Sequence, residues 1–254
     1  MRFALVGYGR MGREIEAVAT GRGHRLVSVI DPGSGVPGAG ASVSRRALKG
    51  AEMAFEFSAP SVAESNVVAI LDAGTAVVCG TTGWDCRARS VAAAARRSGR
   101  GAVIAPNFSI GMTLFQEVAA EAARRFVALG RYDPYVIESH HRTKLDAPSG
   151  TARRLAAIVA GASRRPAPVV EGTPEGPVAP GAVHVASVRA GHETGVHTVG
   201  FDGPHDAVTL THRARGRSGL ALGAVLAAEW LEGRSGVHGF EEVLRSLTRK
   251  GGWE

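Results

Sequence analysis

The run Phe3-Ala-Leu-Val6 leads without a break into Gly7-Tyr8-Gly9-Arg10-Met11-Gly12, and no other feature restricts the fold of this chain as much. A short apolar strand that turns on closely spaced glycines and then enters a helix is the opening of a β-α-β unit. The pattern continues downstream. Residues 3–6, 25–30, 53–57, 76–79 and 102–104 read as strands, and 12–20, 60–73 and 85–98 as the helices between them. Alternation of this kind predicts a parallel sheet covered by helices on both faces, here ending near residue 108. A Gly/Pro-rich loop at 31–44 stands where a longer element is expected.

The second half has another rhythm. A helix is expected over 111–129, a strand from Tyr135 leads into His140-His141, and a helix follows over 150–160. The proline- and glycine-rich stretch 163–181 reads as a loop. Three β patterns come next, at 183–190, 195–201 and 207–214, separated by Gly, Asp and Pro turns. Strands in direct succession point to an open, mostly antiparallel or mixed sheet. The apolar helix at 219–232 is expected to pack back on the first domain. The fold class is therefore α/β: an N-terminal Rossmann-type doubly wound parallel sheet (residues 1–108 and 218–254), and a second α+β domain (109–217) for substrate binding and oligomerisation.

Composition narrows the function. The 254 residues are 44% hydrophobic and 21% charged, as in ordinary globular proteins. No apolar run approaches the roughly 20 residues that span a bilayer, and the N-terminus lacks a secretory pattern. The spacing of Cys79 and Cys86 suits neither a metal pair nor a redox motif, so reduced thiols and a cytoplasmic location are expected. The net charge of +7 raises nucleic-acid binding. The positives, however, are scattered as arginine pairs (45–46, 96–97, 124–125, 153–154, 164–165) in Ala-rich helical patterns. Small anionic ligands fit that distribution better, and no nucleic-acid or membrane partner is expected.

The glycine turn has two readings, a structural strand–turn–helix or a dinucleotide site. In the second, glycines let backbone N–H groups approach a pyrophosphate at a helix start, and Asp31, about 20 residues beyond Gly12, binds the ribose. Asp31 favours NADH, while Arg10 inside the turn keeps NADPH open. Gly80-Thr81-Thr82-Gly83 follows a predicted strand and suits a nicotinamide carboxamide, or is a plain tight turn.

The densest chemistry lies in Glu138-Ser-His140-His141-Arg-Thr-Lys144-Leu-Asp146-Ala-Pro148-Ser149-Gly150-Thr151. Its lysine is one of only three, the others being Lys49 and Lys250, among 30 basic residues. Lysine can release a proton near neutral pH and arginine cannot, which points to proton transfer. Residues 140–149 read as a loop at a strand end, because Pro148 disfavours helix at Ala147. Ser149 is a good N-cap, so the N–H groups of Gly150 and Thr151 are expected to face an anion. Asp146 is expected to order this loop, no metal is expected, and His192, His197, His205 and His212 read as structural.

These residues carry a resemblance. His140-His141-x-x-Lys144-x-Asp146-Ala-Pro-Ser-Gly-Thr strongly resembles the signature of the dihydrodipicolinate reductase family. So do Gly9-Arg-Met-Gly12, Gly80-Thr-Thr-Gly83 and Ala105-Pro106-Asn107-Phe108-Ser-Ile-Gly111, in family order over nearly the whole chain. The resemblance implies a cytoplasmic, homotetrameric enzyme of diaminopimelate and lysine biosynthesis that reduces a cyclic dicarboxylate with NADH or NADPH. It implies proton transfer by His140 and Lys144, and substrate binding by His141, Gly150, Thr151 and, from a looser match, Arg217. It assigns the cofactor to Gly7, Tyr8, Gly9, Arg10, Met11, Gly12, Asp31, Gly80, Thr81, Thr82, Ala105, Pro106, Asn107 and Phe108. Competing readings are another NAD(P)-dependent amino-acid or semialdehyde dehydrogenase, and a non-catalytic nucleotide-sensing or nucleic-acid-binding protein.

Overall fold

The structure, a computed structural model, describes residues 1–86, 89–163 and 167–249. Along the chain come β1 (Arg2–Val6), α1 (Arg10–Gly21), β2 (Arg25–Ile30), α2 (Arg45–Leu48), β3 (Met53–Glu56), α3 (Pro60–Asp72), β4 (Ala76–Cys79), α4 (Arg89–Ser98) and β5 (Gly101–Ile104). They are followed by α5 (Ile110–Ala128), β6 (Asp133–His140), α6 (Gly150–Ala160), β7 (Val169–Glu171), β8 (Val183–Arg189), β9 (Val196–Asp202) and β10 (Ala207–Arg213). The last elements are α7 (Ser218–Leu231), β11 (Gly236–His238) and α8 (Phe240–Arg249). The chain divides into two compact units, 1–110 with 217–254, and 111–216.

The first unit is built on a six-stranded sheet in the order β11-β5-β4-β3-β1-β2, with every pairing parallel. Successive strand residues point to opposite faces. Phe3 and Leu5 of β1, Phe55 of β3 and Val78 of β4 pack with α1, α7 and α8 in one core. Ala4, Val6, Ala54 and Val77 pack with Leu48 and with α3 and α4 in another. With apolar side chains demanded on both faces, the strands read as unbroken apolar runs, and the sheet is doubly wound as expected. The strand order reverses between β1 and β3, where such sheets bind ligands beyond their strand ends.

The second unit carries a five-stranded mixed sheet in the order β10-β9-β6-β8-β7. Val136, Val185, Val199 and Phe201 cover one face against Ala119 and Ala123 of α5 and Leu155 and Val159 of α6.

Local pattern and structure part in several places. Helix α1 starts at Arg10, before the third glycine of the turn rather than at it. The fourth helix, expected over 85–98, is described only from Arg89: Asp85 and Cys86 are not helical, and residues 87 and 88 lie outside the described residues. The expected loop at 163–181, of which 164–166 lie outside the described residues, contains β7 as a parallel edge strand. Prolines at 168 and 174 hold it to three residues, a length with no visible period. The three late β patterns do not form a simple meander: β9 and β10 pair as a hairpin, but β6 lies between β8 and β9 and runs parallel to β8. Beyond α7, β11 and α8 complete the first unit, and neither was expected.

Candidate active site

In the first unit the glycine turn follows β1. Gly7 has φ +88°, and a Cβ there would meet the Phe57 carbonyl oxygen at 2.2 Å. A Cβ on Gly12 would meet the Gly7 oxygen at 2.5 Å, so helix and turn touch through a bare glycine. Gly9, by contrast, faces open space, with nothing within 4 Å of a Cβ. As the N-cap of α1 it supplies no side-chain hydrogen bond, and the first turn carries no acidic residue. Unclaimed N–H groups at the positive end of a helix suit a pyrophosphate, so these residues fit a dinucleotide. The Asp31 carboxylate at the end of β2 accepts hydrogen bonds from Tyr8 N at 2.7 Å and Gly33 N at 2.9 Å. It therefore shapes the turn as well as standing at the expected ribose position.

Beyond β3, β4 and β5 lies a cavity of about 290 Å³ bordered by Met11, Phe57, Thr82, Pro106, Asn107 and Phe108. Gly80 and Thr81 also line it, and Ala105 is buried just before Pro106 in the β5 exit. The Thr81 hydroxyl, however, is already used: it donates to Glu56 Oε2 at 2.6 Å and accepts from Ser58 N at 2.9 Å. Glu56 is fully buried at the end of β3 and also receives Cys79 Sγ at 3.2 Å. Thr81 thus fixes the loop through its side chain and offers the cavity its backbone, which leaves the exposed Thr82 as the free hydroxyl.

In the second unit, the alternation along β6 places Val136, Glu138 and His140 in one buried row. Sheet register sets Ser187 of β8 and His197 of β9 directly opposite Glu138, and Arg189 opposite His140. Glu138 is fully buried. Its Oε1 accepts from Ser149 N at 2.8 Å, Ser187 Oγ at 2.8 Å and Arg189 at 2.6 Å. Its Oε2 lies 3.0 Å from His140 Nδ1 and 3.7 Å from His197 Nε2, off the line of a hydrogen bond. Burial pushes the Glu138 carboxyl up, but the hydrogen bonds from Ser149, Arg189 and Ser187 outweigh it and bring it down to about 2. Burial lowers both imidazoles, His197 to about 4, which favours the neutral form of each.

After His140 the chain leaves the sheet. The loop turns through a Lys144 N–His141 O hydrogen bond of 3.1 Å, and Lys144 Nζ pairs with Asp146 Oδ1 at 2.7 Å. Asp146 orders the loop as expected, its carboxyl held low first by Lys144 and also by Gly150 N–H. The cap forms as expected too: Ser149 Oγ accepts from Ala152 N at 3.2 Å, and α6 begins at Gly150. His141 Nδ1 sits 2.8 Å from Thr143 Oγ1. The structure thus gathers His140, Lys144, Gly150 and Thr151 around one strand end and one helix start. Arg217 stands in the first unit, as the residue preceding α7.

The buried partners of His140 were not singled out from the sequence. Glu138 lies on β6, Ser187 and Arg189 on β8 and His197 on β9, and only the register brings them together. Among the described residues Glu138, His140 and His197 form the one cluster with metal-ligand spacing, and His141 is outside it. The Arg189 guanidinium already gives that carboxylate its positive charge.

Residues 1–108 match the family model described as dihydrodipicolinate reductase, N-terminus, and 111–244 the one described as dihydrodipicolinate reductase, C-terminus. The chain is 40% identical to a 4-hydroxy-tetrahydrodipicolinate reductase of Thiobacillus denitrificans, over 96% of this chain and 98% of the relative. It is 32% identical to the enzyme of that name from Christiangramia forsetii, over 97% and 99%. Among solved structures, the dipicolinate-bound dihydrodipicolinate reductase from Paenisporosarcina sp. TG-14 superposes with a TM-score of 0.77 at 25% identity, covering 95% of this chain and 98% of that one. An amine dehydrogenase from Mycobacterium smegmatis, at TM-score 0.59 and 12% identity over 95% of each chain, shares the fold alone.

Proposed function

The chain belongs to the dihydrodipicolinate reductase family, an NAD(P)H-dependent oxidoreductase of the 4-hydroxy-tetrahydrodipicolinate reductase reaction, and on that premise we propose which residues perform the chemistry. The observation that carries the assignment is that two carboxylates link His140 and Lys144 to the start of α6: Glu138 stands 3.0 Å from His140 Nδ1 and accepts from Ser149 N, while Asp146 pairs with Lys144 and accepts from Gly150 N–H. Lys144, on a loop, acts as a proton donor. Its ammonium can give up a proton to the ring position beside the one reduced, and Asp146 holds it in place until substrate arrives. His140 carries a proton to or from the reacting ring, through Nε2. Gly150 and Thr151 N–H groups, the Thr151 hydroxyl and His141 bind a substrate carboxylate, and Arg217 serves as a further carboxylate ligand. We assign residues 1–108 and 218–254 to the dinucleotide domain and 109–217 to the substrate domain, although the compact units place 109, 110 and 217 in the first of them.

Gly7, Tyr8, Gly9, Arg10, Met11 and Gly12 would hold the pyrophosphate, Asp31 the ribose, and Gly80, Thr81, Thr82 and Ala105 to Phe108 the nicotinamide. When bound, the reduced dinucleotide supplies the hydride for the ring carbon that loses hydroxyl as water. We infer that NADH is accepted at least as well as NADPH, because the Asp31 carboxylate favours a 2′-hydroxyl and repels a 2′-phosphate. We propose that the enzyme is cytoplasmic and homotetrameric, as the family resemblance implies; the exposed Ile137 and Val188 on the second sheet offer apolar surface for self-association.

The substrate site is tested by calorimetry with pyridine-2,6-dicarboxylate (dipicolinate). Wild-type protein is expected to bind it, with Thr151→Val weakening it about 10-fold, the usual size of a lost charge-assisted hydrogen bond. Equal affinity in wild type and Thr151→Val would remove Thr151 from the site.

A further inference from the structure

Glu138 has no part in the steps above, yet it is the most completely enclosed charge next to them. We propose that Glu138 is a positioning residue: its Oε2 edge holds Nδ1 of His140 so that Nε2 is presented for reaction, while its Oε1 edge holds the Ser149 N–H at the start of α6. The inference rests on the reading of His140 as a proton carrier. One carboxylate then ties the proton carrier to the helix start that receives the substrate carboxylate.

The two oxygens divide the work. Oε1 is saturated by the Ser149, Ser187 and Arg189 donors. Oε2 has no hydrogen bond and is fully enclosed, but lies 3.0 Å from His140 Nδ1. A buried carboxylate edge 3.0 Å from one nitrogen of an imidazole favours the tautomer with the proton on that nitrogen and stabilises the imidazolium. The opposite nitrogen meets Gly195, where a Cβ would stand 3.0 Å from His140 Nε2. A bare glycine there keeps Nε2 uncrowded. Ala190 N donates to the His140 carbonyl oxygen at 3.0 Å, so the backbone that carries the ring is held as well.

The groups facing His140 come from every neighbouring element. Glu138 lies on its own strand, Arg189 on β8, Lys144 and Asp146 on the following loop, and the His197 ring on β9 stands edge-on at 5.0 Å. Burial lowers the His140 pKa, as do Lys144 and Arg189, while Glu138 and Asp146 raise it. Glu138 is the main counterweight. Without its charge the His140 pKa falls further. A general acid works below its pKa, so the alkaline limb of the kcat profile must then move to lower pH.

The full chain is assayed as wild type, Glu138→Gln, His140→Gln and the double variant, with NADH binding by fluorescence reporting that the first unit is intact. Glu138→Gln is expected to lower kcat about 100-fold, to shift the alkaline limb to lower pH, and to add nothing to His140→Gln in the double variant. Multiplying effects, or an unshifted limb, would overturn the role of Glu138 and leave that of His140 standing. A His140→Gln enzyme with wild-type kcat would overturn the proton-carrier reading itself. Nitrogen-15 spectra of the wild-type histidines test the proposal independently of any variant's folding. Neutral His140 with its proton on Nδ1 supports it, and the proton on Nε2 contradicts it.

Discussion

Lys144→Ala is expected to lower kcat by about 10²–10⁴-fold, the range for a positioned proton donor, with the NADH dissociation constant changed less than twofold. The side chain is on a loop and pairs with the half-exposed Asp146, so its loss costs the fold little. Lys144→Arg separates the two things a lysine can do. It keeps the positive charge of the side chain but replaces an ammonium by a guanidinium that does not deprotonate in the working range. A proton donor predicts that Lys144→Arg is nearly as slow as Lys144→Ala. A purely electrostatic role predicts near wild-type kcat for Lys144→Arg. Steady-state kinetics with each variant, at saturating NADH, distinguishes them.

Gly7→Ala is expected to abolish NADH binding and to destabilise the first unit by about 2–5 kcal/mol, from a left-handed backbone and overpacking together. The backbone carbonyl of Phe57, at 2.2 Å from the added carbon, cannot give way without breaking the contact between the β1 and β3 exits. Gly9→Ala is the contrasting variant. Its φ of −76° is ordinary and its Cβ enters open space, so the fold is kept. On the proposed dinucleotide pose that methyl enters the space of the pyrophosphate, and NADH affinity is expected to fall. Urea unfolding and fluorescence titration of both proteins check the pair. A Gly7→Ala protein that binds NADH like wild type would contradict the reading of the turn.

How much of this was legible depends on how local each signal is. The doubly wound sheet shows in the sequence because β1, β3 and β4 are apolar on both faces and helices of visible period follow them. The cap at Ser149 and the loop before it were legible for the same reason, since Pro148, Ser149 and Gly150 act on their own neighbours. Strands β7 and β11 were not, being three residues long and made by pairing rather than propensity. The position of β6 between β8 and β9 is a matter of topology, which consecutive β patterns do not encode.

The site divides along the same line. The motif residues His140, Lys144 and Thr151 lie in one short segment and stand out by type and spacing. Their buried support did not, although each member continues an apolar row: Val136-x-Glu138-x-His140, Val185-x-Ser187-x-Arg189 and His197-x-Val199-x-Phe201. Three rows that each turn polar at one end hint at a shared buried charge. Only the register that sets Glu138 between Ser187 and His197 shows that the ends meet. In the first unit, likewise, nothing in Gly80-Thr81-Thr82 tells which hydroxyl is free until Glu56 is seen to engage Thr81.

The most direct measurement is the oxidation of NADH and of NADPH, followed separately at 340 nm, by the wild-type enzyme with freshly prepared 4-hydroxy-tetrahydrodipicolinate. Rapid, substrate-dependent oxidation is expected, with kcat/KM for NADH at least equal to that for NADPH, and product formation matching dinucleotide consumed. No oxidation of either dinucleotide by folded, dinucleotide-binding protein would contradict the proposed function.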